Sequence, residues 1–389
     1  MNSLPHHPWD DITADTLRAR GSMKWTRFPD TLPGFVAEMD FPLAPPIAEA
    51  LHRAIDAPLL GYLPEPTKQE MKEATAEFLS ARYGWDVGAD NIFPTADVLS
   101  AYEVTLRAFV TPGAPVIVPT PAYMPFLSLT EMLGHPVIQV PMVDVDGRPS
   151  MDLERITKEL ASGAEVVVLC NPHNPLGLVY SEQELLALAD VVDKAGALVF
   201  SDEIHAPLTL FGHTHIPYAS LNETTAAHTV TSTSASKAWN IPGLKAAQLI
   251  TSNPAHYEAL KKIEFTVSHG ASTLGVIATT AAFRDGGEWL NEAREYIEGS
   301  AVEFAEAVAT LPGASFRQLE GTYIAWLDAS SVDIGHHPSP SHYFAEEAGV
   351  SVTDGAMCGE AGAGHIRIIL ATPRPILREM VSRLSAHWG

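Results

Sequence analysis

Short apolar runs of strand length recur through the middle of this chain, with helix-forming stretches between them. The runs cover residues 114–119, 137–140, 166–170, 198–201, 230–232 and 247–251, and the clearest intervening helix pattern covers 181–195. A strand that is apolar on both faces must be covered on both. The pattern therefore calls for an α/β fold with a mostly parallel sheet between two helical layers. In such sheets ligands lie at the carboxyl ends of the strands. Upstream, Pro29, Pro33, Pro42, Pro45 and Pro46 break any long helix. A polar helix follows at about 67–83, then a short strand and turn at 91–98 leading into a helix that ends near Val110. Beyond about residue 285 the rhythm changes to an amphipathic helix at 288–311, strands near 323–327 and 365–370, and a closing helix. The expected organisation is an N-terminal segment, 1–50, packing on a small α+β C-terminal domain, 288–389, with a large domain at 51–287.

Composition removes several classes of function. With 24 Lys and Arg against 47 Asp and Glu the net charge is -23, the wrong sign for neutralising nucleic-acid phosphates. An anionic ligand must be met by local donors rather than by the overall field. Cys170 and Cys358, the only cysteines, form no CxxC pair. His205, His213 and His215 lack metal-ligand spacing with an acid, so no metal is expected. No apolar run approaches the length of a bilayer span, and the opening residues lack a cationic stretch followed by an apolar one. A cytoplasmic protein without a membrane partner is the expectation. Gly359, Gly362 and Gly364 read as a flexible loop, since no strand precedes them as a dinucleotide turn requires.

Three segments, each following a strand, carry the chemistry. They are Cys170-Asn171-Pro172-His173-Asn174-Pro175-Leu176-Gly177, then Ser201-Asp202-Glu203-Ile204-His205, then Ser232-Thr233-Ser234-Ala235-Ser236-Lys237-Ala238-Trp239. A lysine at a strand end among small residues can be approached by a ligand, and burial would favour its nucleophilic amine. A carboxylate such as Asp202 can keep a pyridine nitrogen protonated, and an amide such as Asn174 can donate to a ring oxygen. Each segment alone has an ordinary explanation: a surface lysine, two consecutive turns, a helix-capping acid. The ordered set of three is far more specific.

With Phe35-Val36-Ala37-Glu38-Met39-Asp40-Phe41-Pro42 and Gly61-Tyr62, these motifs resemble the fold-type I pyridoxal-phosphate enzymes of the aminotransferase superfamily. Within it they resemble the MalY/PatB-like cystathionine β-lyases. The resemblance runs from Gly34 to about Pro373 and implies a mostly parallel seven-stranded sheet. It implies that Lys237 holds pyridoxal 5′-phosphate as a Schiff base and later shuttles the Cα proton. Asp202 would pair with the pyridine nitrogen, Asn174 with the 3′-oxygen, and Tyr123 would stack on the ring. The backbone at Ala96, Asp97 and Val98, with the hydroxyls of Ser234 and Ser236, would hold the phosphate. Tyr62 would reach that phosphate from a second subunit, making the protein a homodimer. Arg367 would clamp the α-carboxylate of an amino-acid substrate, with Ala37 and Asn174 beside it.

The chain departs from the superfamily at three of these places. His205 stands where many aminotransferases carry tyrosine, Lys245 where many carry a phosphate-binding arginine, and Glu38 where the subgroup carries aspartate. His205 either donates to the 3′-oxygen or packs beside it. Asp97 puts an acid beside a phosphate unless its side chain turns away as a helix cap. The implied reaction is carbon–sulfur β-elimination from cystathionine or a related cysteine S-conjugate, giving a thiol, pyruvate and ammonia. Lys237 or Tyr123 would protonate the departing sulfur. An aminotransferase shares every cofactor residue and stays open. So does a regulatory binding protein on the same fold, although no local feature supports it.

Overall fold

The computed structural model describes residues 4–389. Its larger sheet has seven strands, in the order Ile92–Thr95, Ala247–Ile250, Thr229–Thr233, Leu198–Asp202, Val166–Cys170, Val116–Thr120, Val137–Pro141. The last five run parallel to one another. Ala247–Ile250 runs antiparallel to both of its neighbours. The central strands are buried along their whole length, as their unbroken apolar runs require. Helices cover both faces, giving one core that includes Phe93, Tyr102, Phe126 and Phe200 and another that includes Ile117, Val167, Leu188 and Val199.

Local signals set the element ends. Ser181 and Glu184 form a capping box that starts the helix Glu182–Ala195, and Gly196, at φ 64°, ends it in the left-handed region. The long helix Gly287–Val308 leads to a four-stranded antiparallel sheet holding Ile324–Asp328 and His365–Ile369. The N-terminal segment ties both parts together. Its strand Leu32–Pro33 pairs parallel with Val350–Ser351, while Trp9 stacks on Phe41 at 4.3 Å. The backbone of Met39 exchanges two hydrogen bonds with the side chain of Asn240, each 2.8 Å.

The glycine-rich stretch differs from the flexible loop expected of it. It winds through two short 3₁₀ turns, Gly355–Cys358 and Glu360–Gly362. A Cβ on Gly362 would lie 2.0 Å from the carbonyl oxygen of Gly355. Close backbone approach requires Gly362, and positive φ values, 113° and 80°, require Gly359 and Gly364, constraints that composition does not distinguish from flexibility.

Candidate active site

The ends of the parallel strands, the N-terminal segment and the small domain enclose a cavity of about 760 Å³, well within the ligand-site range of about 300–1,000 Å³. The three motif segments meet there. Asp202 ends its strand and Lys237 lies in the one-turn helix Ala235–Ala238 that follows the neighbouring strand; both line the cavity with Asn174, Tyr123 and His205.

Lys237 donates from Nζ to the carbonyl of Ala37 at 2.8 Å. Burial lowers its pKa to about 8, helped by the charge of Arg367 and opposed by Glu38 and Asp202. A substantial fraction of this amine is therefore neutral near physiological pH. Asp202 is buried, accepts from the backbone N–H of Ile204 at 3.1 Å, and receives the Cys170 thiol at 3.7 Å. Burial pushes its pKa up to about 7. A carboxyl so placed is short of a cation, and a protonated ring nitrogen would supply one.

Arg367 makes the complementary demand. It is 4% exposed, donating to the Asn174 side-chain oxygen at 3.2 Å and to the Phe35 carbonyl at 3.1 Å. Its Nε has no partner and no carboxylate among the described residues pairs with it. An isolated buried cation is costly, so this side chain is poised for an anion. Because Oδ1 of Asn174 faces Arg367, its amide N–H groups remain to donate elsewhere.

Asp97 acts as a helix cap. Its Oδ1 accepts from the Ser100 backbone at 2.8 Å at the start of the helix Val98–Phe109, and its Oδ2 pairs with Lys245 at 3.0 Å. The acid is thus neutralised, while the first-turn amides of Val98 and Leu99 have no intrahelical partner. Ala96, Asp97, Val98, Ser236 and Lys245 all line the cavity. Ser234 lies apart: its hydroxyl donates to the Ala246 carbonyl at 2.7 Å and accepts from Ser236. Burial drives the pKa of His205 down to about 3 and leaves its Nδ1 unpartnered, so it acts as a neutral imidazole. Tyr123 has its pKa raised by burial and keeps its phenolic proton. Tyr62 is outside the cavity lining and 91% exposed. These donors, the buried acid and the amine fit pyridoxal 5′-phosphate in charge and in hydrogen-bonding capacity.

Three contributors had escaped the sequence. Tyr323 donates its hydroxyl to the Ala37 carbonyl at 3.1 Å and meets His205 edge-on. The Phe35 carbonyl anchors both Arg367 and Thr353. Cys170 contacts Asp202. A backbone acceptor leaves no residue-type signature, and Cys170 had stood only at the head of its motif, with no role given to its thiol. The N-terminal motif gains a physical role as well. Asp40 holds the buried Lys24 at 2.7 Å and the indole of Trp25 at 2.8 Å. Lys24 in turn binds the Glu38 carbonyl at 3.1 Å, fixing the wall of the cavity beside Lys237. His215 is committed to the buried Glu203 at 3.0 Å.

Residues 36–384 match the family described as aminotransferase class I and II. The cystathionine beta-lyase of Corynebacterium glutamicum is 36% identical over 373 residues, covering 96% of this chain and 98% of that protein. A solved structure from Corynebacterium diphtheriae is 38% identical with a TM-score of 0.91, covering 97% of this chain and 98% of that one. Cystalysin from Treponema denticola, whose crystal structure contains pyridoxal 5′-phosphate, is 30% identical with a TM-score of 0.88 over 97% of each chain. The chain belongs to the aminotransferase class I and II family, in the MalY/PatB-like cystathionine β-lyase subgroup of the fold-type I pyridoxal-phosphate enzymes.

Proposed function

We propose that the protein is a pyridoxal 5′-phosphate-dependent carbon–sulfur β-lyase, acting on cystathionine or related cysteine S-conjugates. The observation that carries this reading is a cavity in which an amine with a depressed pKa, Lys237, shares space with a buried guanidinium, Arg367, that no carboxylate among the described residues pairs. Similarity to a cystathionine beta-lyase and to cystalysin supports the choice of reaction. When bound, the cofactor supplies an electron sink for the pair left at Cα.

Lys237 would hold that cofactor, with Asp202 facing its ring nitrogen and Asn174 donating to a ring oxygen. The amides at the start of the helix Val98–Phe109 and the Ser236 hydroxyl would take its phosphate. Arg367 binds the substrate carboxylate and so orients Cα toward Lys237. The neutral Lys237 amine removes the Cα proton. The Cβ–S bond then breaks with both electrons leaving on sulfur. The thiolate is protonated by the Lys237 ammonium or by Tyr123, which still holds its proton at neutral pH. The remaining three-carbon fragment takes up water and yields pyruvate and ammonia.

The test is incubation of cofactor-loaded protein with L-cystathionine and no added keto acid. Pyruvate, ammonia and free thiol are expected in equal amounts. Their absence, with amino transfer once a keto acid is supplied, would replace the lyase by an aminotransferase.

The reading includes a homodimer that shares its sites. Tyr62 sits beside His269, which also meets Phe265, itself 79% exposed, so an aromatic cluster faces outward. The expected solution mass is twice the 41.9 kDa of one chain. Mixing Tyr62→Ala and Lys237→Ala subunits should restore activity that neither has alone. Failure of complementation in a verified heterodimer would remove Tyr62 from the shared site.

A further inference from the structure

The cavity does not stop at the residues that handle an amino-acid head group. Its lining also includes Met23, Arg27 and Phe28 from the N-terminal segment, and His342, Ala345 and Met357 from the small domain. Met23, Phe28 and Met357 are exposed large apolar side chains. Such groups around a cavity are covered when a ligand with an apolar stretch fills it.

Among the described residues no carboxylate lies within ion-pair distance of Arg27. Of the four cations that line the cavity, Lys245 is held by Asp97, which leaves Arg27 with Lys237 and Arg367 free to meet an anion brought by a ligand. Its guanidinium lies over the Phe28 ring, 5.6 Å from the centroid. Phe28 meets Phe35 edge-on at 5.1 Å, and the carbonyl of Phe35 binds Arg367 at 3.1 Å. A continuous path thus leads from the α-carboxylate anchor, across two aromatic rings, to a second arginine. The rings offer apolar contact to methylene groups and the far arginine offers charge-assisted hydrogen bonds to an anion.

We infer that Arg27 reads an anionic end on the leaving-group side of the substrate, so that the preferred substrate is a cysteine thioether with a carboxylate at its far end. This rests on the lyase reading and narrows it, and Arg27 is a specificity residue that takes no part in bond breaking. Thioethers with purely alkyl leaving groups would still be cleaved, without this contact.

The experiment compares S-(3-carboxypropyl)-L-cysteine with S-butyl-L-cysteine, which differ in a carboxylate against a methyl group. With the holoenzyme, kcat/KM should favour the acid, and added salt should shrink that preference because the contact is near the surface. In Arg27→Met the acid should lose about 10- to 50-fold, chiefly in KM, the scale of one lost charge-assisted contact. The butyl compound, which offers Arg27 nothing to bind, should change less than about twofold, and Arg27→Lys should recover part of the loss. Equal losses on both substrates, or no loss on either, would overturn the inference. Pyruvate from S-butyl-L-cysteine tests the lyase reading separately. If neither thioether yields pyruvate, titrating the visible absorption of the holoenzyme with the same pair decides. Tighter binding of the acid, abolished in Arg27→Met, supports the subsite; equal binding by the wild type sinks it.

Discussion

Lys237→Ala is expected to lower pyruvate formation by at least about 10⁴-fold, the upper range for loss of one positioned general base. The visible absorption of lysine-bound cofactor should vanish with it. The same side chain has an opposite effect on stability. Its pKa in the folded protein is about 8, below the ordinary lysine value of 10.5. Between those values the unfolded chain binds a proton that the folded chain does not, so stability rises with pH across that window. Well below pH 8 both states are protonated, and the cost of the buried ammonium, on the order of 3 kcal/mol, is present in full. Cofactor-free Lys237→Met keeps the aliphatic stem and removes the charge. It should melt above the cofactor-free wild type at pH 7, with the gap closing as pH approaches 10. A lower melting point for the variant at every pH would refute this account of the lysine.

Asp202→Asn should cost about 10²–10³-fold in turnover, the scale on which one electrostatic stabiliser acts. Asn cannot hold a ring nitrogen protonated, although it fills the same space. The carboxyl of Asp202 titrates near 7 in the folded protein against an ordinary value of 3.8. Across that window the folded state keeps a proton that the unfolded state has lost, so stability falls as pH rises. Above pH 7 the cost is complete, on the order of 4 kcal/mol. Denaturant titration of the cofactor-free protein at pH 5 and pH 8 should show the fall in the wild type and a much smaller one in Asp202→Asn. Cofactor should restore more stability to the wild type at pH 8 than at pH 5, because it brings the missing cation. A wild type with equal stability at both pH values would contradict the burial of this charge.

The parallel core was legible because a strand covered on both faces has to be apolar throughout, as Val166–Cys170 is. The direction of Ala247–Ile250 was not, since a four-residue apolar run has no polarity that a reader can detect. Lys237, Asp202 and Asn174 stood out because chemistry restricts residue type at a strand end. The pairing of Asp97 with Lys245 bridges 148 positions and neutralises the acid at the start of the helix Val98–Phe109. No local pattern encodes it. The same holds for the Ala37 carbonyl, which receives both Lys237 and Tyr323. The helix-capping role foreseen for Asp97 did follow from residue type alone.

The wall beside Lys237 is built from opposite ends of the chain. Phe35 receives the guanidinium of a residue 332 positions later and the hydroxyl of Thr353, 318 positions later. During synthesis Phe35 leaves the ribosome long before these two partners exist. The segment that carries Phe35 must wait for almost the whole polypeptide, and closing so long a loop costs entropy before any contact repays it. The sheet that bears Asp202, with the one-turn helix that bears Lys237, has all its strands by Ile250. A nascent chain can therefore possess the residues proposed to anchor the cofactor before it possesses the one proposed to grip a substrate, and a chain that ends short of His365–Ile369 never acquires the latter.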